Sequence, residues 1–281
     1  MKKSFFVGII ALFAVQNSVF ASSVSGTFSD TYSKQTGTAV SIIPDITVNW
    51  GFDITKNISF FSSFESVRTI GQPAFNVMNA SYFKYVHGGN KYILGKQGVT
   101  LSNGLVASMS GVNGIKADVQ TAGNQLATFY GENNNKKVVA FDFKKNKITC
   151  RKDLNLEAVY LRVTKRYVGL TVSDKIDSKL FLTVETSKNL DTKATGYLIT
   201  TTYGALKKNG DADITLSFRN VENGAVSEYC TDGNYNNSIG FRIGTDYKMS
   251  TSSTLIVYQD IVRSQSNVNM DKTLFEIVMN F

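Results

Sequence analysis

Proline is nearly missing from this sequence, with two in 281 residues, and histidine and tryptophan occur once each. Each shortage closes off a class of protein. A Pro-rich linker or disordered tail is excluded, and 22 glycines and 13 tyrosines against two prolines favour strands over helices. The single histidine, His87, lies in "HGGN" and reads as a solvated turn residue. A serine hydrolase or acid–base protease needs a histidine beside a serine or carboxylate, so an enzyme of that kind is disfavoured. Beyond residue 21 no apolar run approaches the ~18 residues of a membrane-crossing helix. No dense basic run interleaves with aromatics either, so the basic excess carries no nucleic-acid signature.

What the chain does have begins at its amino end. Lys2 and Lys3 precede an apolar run from Phe5 to Val15, followed by Val19, Phe20 and Ala21. A charged start, a short apolar core and a small residue at the cleavage point describe a secretory signal peptide. Residues 1–21 are expected to be removed and 22–281 to form the mature protein. Loss of Lys2 and Lys3 lowers the formal charge from +8 to +6.

One pattern then fills the mature length. Ile46, Val48, Trp50, Phe52 and Ile54 alternate with polar or small residues, as do Val139, Phe141 and Phe143. Ile239, Phe241, Ile243 and Tyr247 alternate with Gly240, Arg242, Gly244, Asp246 and Lys248. The terminal "TLFEIVMNF" (273–281) does the same, ending on Phe281. Side chains on a strand alternate between two faces, so these are strands with one apolar and one polar face. No helical period competes.

The spacing gives about sixteen strands, with fourteen as the alternative; the uncertain places are 23–32 and 137–163. Tight turns are expected at 55–57, 121–124, 173–178 and 249–253, and longer links at 97–114, 187–196, 221–237 and 264–271. Short periplasmic turns at one end and longer outer loops at the other describe an all-β transmembrane antiparallel barrel. A barrel of sixteen strands is too wide to fill with wall side chains and encloses an aqueous channel. The last strand must then pair with the first, because hydrocarbon offers no other partner to its backbone.

The terminal phenylalanine resembles the carboxy-terminal signal of bacterial outer-membrane barrels. "KYILGKQGVTLSNGL" (91–105) resembles the segment of bacterial general porins in which glycine, a basic residue and a glutamine or asparagine end the fifth strand; here these are Gly95, Lys96 and Gln97. "FDF" (141–143) and "GFRIGTDYKMS" (240–250) are also porin-like, and the appearance is nearest to porins of diderm Firmicutes. The resemblance implies a cell outer membrane location, contact with its lipid, a homotrimer, and passive diffusion of ions and small hydrophilic solutes without a cofactor. It also implies an inward-folding third loop, placed at Gln97, Gly98, Ser102, Asn103 and Gly104, facing a basic ladder that begins at Lys96.

Inward parity adds Lys116, Arg219 and Arg242 to that ladder and places Glu65 and Glu185 on the lumen wall. Residues 97–115 carry no acid to oppose the bases, so a mild anion preference is expected. No catalytic residue or metal ligand is assigned: "DGNYN" (232–236) spaces Asp232, Asn234 and Asn236 like a calcium loop but lacks its glycine and glutamate. Cys150 and Cys230 fall at opposite ends of the expected barrel, too far apart for a disulfide. The competing readings are a barrel serving as adhesin or structural anchor and, more remotely, a barrel enzyme.

Overall fold

A computed structural model describes residues 22–68, 74–121, 123–146, 148, 153–230 and 235–281. The expected leader, Cys150, Asp232 and Asn234 lie outside the described residues. Sixteen antiparallel strands form one closed ring: β1 (Ser22–Gln35), β2 (Ser41–Thr55), β3 (Ile58–Val67), β4 (Phe75–His87), β5 (Asn90–Leu101), β6 (Ala107–Thr121), β7 (Asn124–Asn133), β8 (Lys136–Asn146), β9 (Asn155–Arg162), β10 (Arg166–Lys175), β11 (Leu180–Asn189), β12 (Thr195–Gly204), β13 (Ala212–Val221), β14 (Ser238–Lys248), β15 (Ser253–Ser264) and β16 (Lys272–Asn280). Fourteen strands are ruled out. The first strand is 14 residues long, and the stretch 137–163 holds most of β8 and all of β9.

Alternation sorts the two faces as the period of two requires. Phe83, Leu94, Ile115 and Tyr130 stand abreast on β4 to β7 and are all exposed on the outside. Phe218, Phe241 and Ile261 continue such a row on β13 to β15. An unbroken belt of exposed apolar side chains would be costly against water and is suited to hydrocarbon.

The ring closes at its last residue. The Gly26 N–H donates to the Phe281 carbonyl at 2.9 Å, and the Phe281 N–H donates to the Gly26 carbonyl at 3.0 Å. No edge is left open, as spanning a bilayer demands.

The connections differ in detail from the expectation. The 97–114 link is largely strand, because β5 runs to Leu101 and β6 starts at Ala107. The longest connection, between Val221 and Ser238, leaves and re-enters the wall opposite the chain ends, and 56–57 and 88–89 are tight turns beside those ends. Length is not wholly segregated, however: β7 and β8 are joined at 134–135 on the long-loop side, where Asn134 and Asn135 adopt φ of 48° and 62°. Asparagine tolerates that left-handed region and so allows a two-residue reversal.

Candidate channel constriction

The β5–β6 hairpin does not stay in the wall. A bulge between Gln97 and Val99 shifts its register, and Gly95 and Gly111 adopt φ of 132° and 65°. Beyond this crease the hairpin lies inside the ring. Its Val99, Leu101, Val106, Ala107, Met109 and Val112 pack on inward residues of β7 to β10 that include Phe129, Val138, Ala140 and Leu161. Burial of a Val- or Leu-sized side chain contributes about 1.5–3 kcal/mol, so this apolar face anchors the hairpin. The opposite face carries Gly98, Thr100, Ser108 and Ser110, all exposed and all uncharged.

The tip is a tight 3-10 turn, Ser102–Gly104, in which Ser102, Asn103 and Gly104 have φ of 53°, 44° and 100°. "SNG" supplies the residue types that accept this backbone. The tip reaches β9 and β10. The Ser102 N–H donates to Glu157 Oε1 at 3.1 Å, and Thr171 Oγ1 donates to Ser102 Oγ at 3.0 Å. A Cβ at Gly169 would lie 2.5 Å from Val106 Cγ2, so glycine is what permits the tip to approach the wall.

A second segment holds the hairpin down. In the 222–237 connection, Ser227 Oγ donates to the Val106 carbonyl at 2.6 Å, and the Tyr229 carbonyl accepts from the Ser108 N–H at 2.5 Å. Leu105 is buried with Leu198, Val221, Ala225 and Val226, and half-buried Cys230 packs against them. The two inserted segments thus pack on the lumen side of β7 to β13. Among the described residues, β14 to β16 and β1 to β4 contribute to neither buried cluster.

Charge on that remaining wall is organised in two groups. Asp260 is fully buried and serves two guanidiniums. Arg242 donates to it from Nε at 2.6 Å and Nη2 at 2.8 Å, and Arg219 from Nη1 at 3.5 Å and Nη2 at 3.4 Å. Arg242 also stacks 3.9 Å from the Tyr258 ring centre, and Arg219 lies 5.0 Å from that of Tyr235. Lys272 approaches the same Tyr258 ring at 5.7 Å. The second group is acidic: Glu65 and Glu276 both lie close enough for their charges to act on Asp45, and Asn79 donates to Glu65.

The residues singled out from sequence have these places. Lys116 faces inward and pairs with Asp118 at 3.3 Å. Arg219 and Arg242 fall on the inward phase and share Asp260. Glu65 belongs to the acidic group, while Glu185 is 5% exposed and stands in register beside Thr171, which bonds the hairpin tip. Lys96 pairs in register with Ser81 and Asn113, one step out of phase with inward Lys116, and its chain crosses Gly111. Gly95 and the bulge interrupt the alternation on either side of it. Gln97 is buried, with Nε2 donating to the Gly114 carbonyl at 3.3 Å; Gly98 lies on the exposed face, and Ser102, Asn103 and Gly104 form the tip.

Asp260, Tyr235 and Tyr258 escaped the sequence reading. In "TLIVYQDIV" (254–262) both faces are mostly apolar, so the phase of Asp260 cannot be read from alternation. His87 ends β4 with its ring 6.1 Å from that of Tyr85. Among the described residues no group of three or more His, Cys, Asp or Glu side chains forms a metal site.

No protein-family model matches the chain, and no curated protein does. Solved structures do. A mutant porin of Rh. blastica superposes with a TM-score of 0.68 at 11% identity, over 92% of this chain and 100% of that one. OprB of Pseudomonas putida gives 0.69 at 10%, over 98% and 96%. OmpT of Vibrio cholerae, an outer membrane protein solved in trimer form, gives 0.62 at 10%, over 94% and 100%. At these identities the likeness is one of fold.

Proposed function

We propose that this protein is an outer-membrane porin, a passive diffusion channel for ions and small hydrophilic solutes. One observation carries the reading: inside a closed ring, an uncharged hairpin packs its apolar face on one side of the wall and turns its serine and threonine face toward a charged wall on the other. That arrangement narrows a barrel while leaving a wetted passage. No cofactor or reacting group is needed, since transport runs downhill. The same reading includes outer-membrane lipid around the barrel, a homotrimer, the form in which OmpT was solved, and a relationship to porins of diderm Firmicutes as the resemblance of residues 91–105 suggests.

The finer part of the proposal is a mild anion preference. It is carried by Arg242 and Lys272 on the lumen side of the wall rather than by Lys96, with Arg219 buried against Asp260. Asp45, Glu65 and Glu276 oppose it and keep it mild. Recording single channels of refolded protein in a planar bilayer tests both levels. Stable conductance steps support the porin, and a silent bilayer favours the anchor or adhesin. In a potassium chloride gradient, a reversal potential showing cation preference overturns the finer reading alone.

A further inference from the structure

Beneath the hairpin tip three strands present one row of side chains. Glu157 on β9, Thr171 on β10 and Glu185 on β11 are direct neighbours in register, all facing the lumen. All three are buried, with exposures of 7%, 3% and 5%. Ser102 caps the row from above. Glu157 is well served, accepting from the Ser102 N–H at 3.1 Å and facing Lys144 Nζ at 3.2 Å. Glu185 is not: its Oε1 is buried with no hydrogen-bond partner among the described residues, and Glu157 stands close enough for its charge to act on it.

Charge does not balance here. Lys144 also pairs with Asp142 at 3.3 Å, so one ammonium faces Asp142 and Glu157, and among the described residues no cation pairs with Glu185. When ionised, these three carboxylates exceed the one ammonium by two charges, and Glu157 and Glu185 are buried. Buried charges without compensation cost several kcal/mol each, so native structures pair or coordinate them. The hairpin tip closes over the middle of the row, through Ser102 on Thr171, the residue that lies between the two glutamates.

The geometry points to a hard divalent cation of the calcium class bound between Glu185 and Glu157, with the Ser102 and Thr171 hydroxyls beside it, pinning the hairpin to the wall. One such ion cancels the two surplus charges. The donor set is all oxygen and holds no histidine or cysteine, which suits calcium rather than zinc. Two carboxylates and hydroxyls leave further positions to water, as calcium accepts. The site does not depend on the barrel conducting, and it can be present in an anchor as well as in a porin.

The test is calorimetric titration of calcium chloride into chelator-stripped, refolded protein, with folding verified by heat-modifiable migration. One ion per chain is expected for the unaltered protein. Binding should be lost in Glu185→Gln and retained in Glu276→Gln, which alters a lumen acid elsewhere. Should Glu185→Gln fail to fold, Glu157→Gln takes its place. Absence of calcium binding by the unaltered protein overturns the inference and leaves a proton on Glu185 as the remaining means of neutralising it. Binding that survives Glu185→Gln, or that Glu276→Gln also removes, overturns it equally.

Discussion

Phe281 and Gly26 exchange both of their backbone hydrogen bonds, so the last residue of the chain is stitched into the first strand. The Phe281 ring also covers Gly26: a Cβ there would meet ring carbon Cε2 at 2.8 Å. Deleting Phe281 removes two backbone bonds worth about 1 kcal/mol each and reopens an edge. The expected result is a lower yield of heat-modifiable folded protein and an earlier urea midpoint. Gly26→Leu should act the same way by displacing the ring, and unchanged midpoints in both variants would refute this account of closure.

The hairpin is predicted to set the conductance. Replacing residues 99–107 by a short glycine link removes the apolar plug while leaving β5 and β6 joined. Single-channel steps should grow several-fold, read in the same bilayer against unaltered protein. Gly169→Leu should give a weaker version, with noisier steps, because its side chain would collide with Val106 and Ser102. Steps of unaltered size after the hairpin is removed would show that it does not narrow the passage.

Asp260 holds two buried or half-buried guanidiniums together. Asp260→Asn leaves Arg219, 2% exposed, without its counter-charge. Breaking a buried ion pair in this way costs about 3–5 kcal/mol. The variant should unfold at clearly lower denaturant and, where it inserts, shift the reversal potential toward anions. Arg242→Glu should shift it the other way. A reversal potential indifferent to both changes would place selectivity elsewhere.

At the rim opposite the chain ends, Arg166 clasps Asp191 from its side chain at 2.5 and 2.9 Å and from its backbone N–H at 2.8 Å. These bonds, the side-chain ones first, hold the Asp191 carboxyl below its ordinary value. The sign follows: the turn gains from the pair at every pH above the ordinary carboxylate range and loses it on acidification through the lowered value. Hydrogen exchange at the Arg166 amide should therefore quicken in strong acid, beyond its intrinsic pH dependence. In Asp191→Asn it should be quick throughout, and identical profiles for the two proteins would remove the pair from the argument.

Alternation is a local property, and the sequence alone determined what depends on it. Which side chains of "TLFEIVMNF" face out, that strands run the length of the mature chain, and that the last must meet the first all follow from a period of two and from the backbone's need for partners. Tertiary structure decided the interior. Val99, Leu101 and Met109 alternate just as lipid-facing residues do, and nothing local says that their apolar face meets the inner wall instead. Likewise, Arg219 finds Asp260 only because β13 and β15 flank β14 in the closed ring. Glu185 reads as an ordinary lumen acid until the hairpin tip, some eighty positions earlier in the chain, settles on its neighbour Thr171. The faces of a strand are set by its own geometry, whereas the water left at each face is set by what else folds against it.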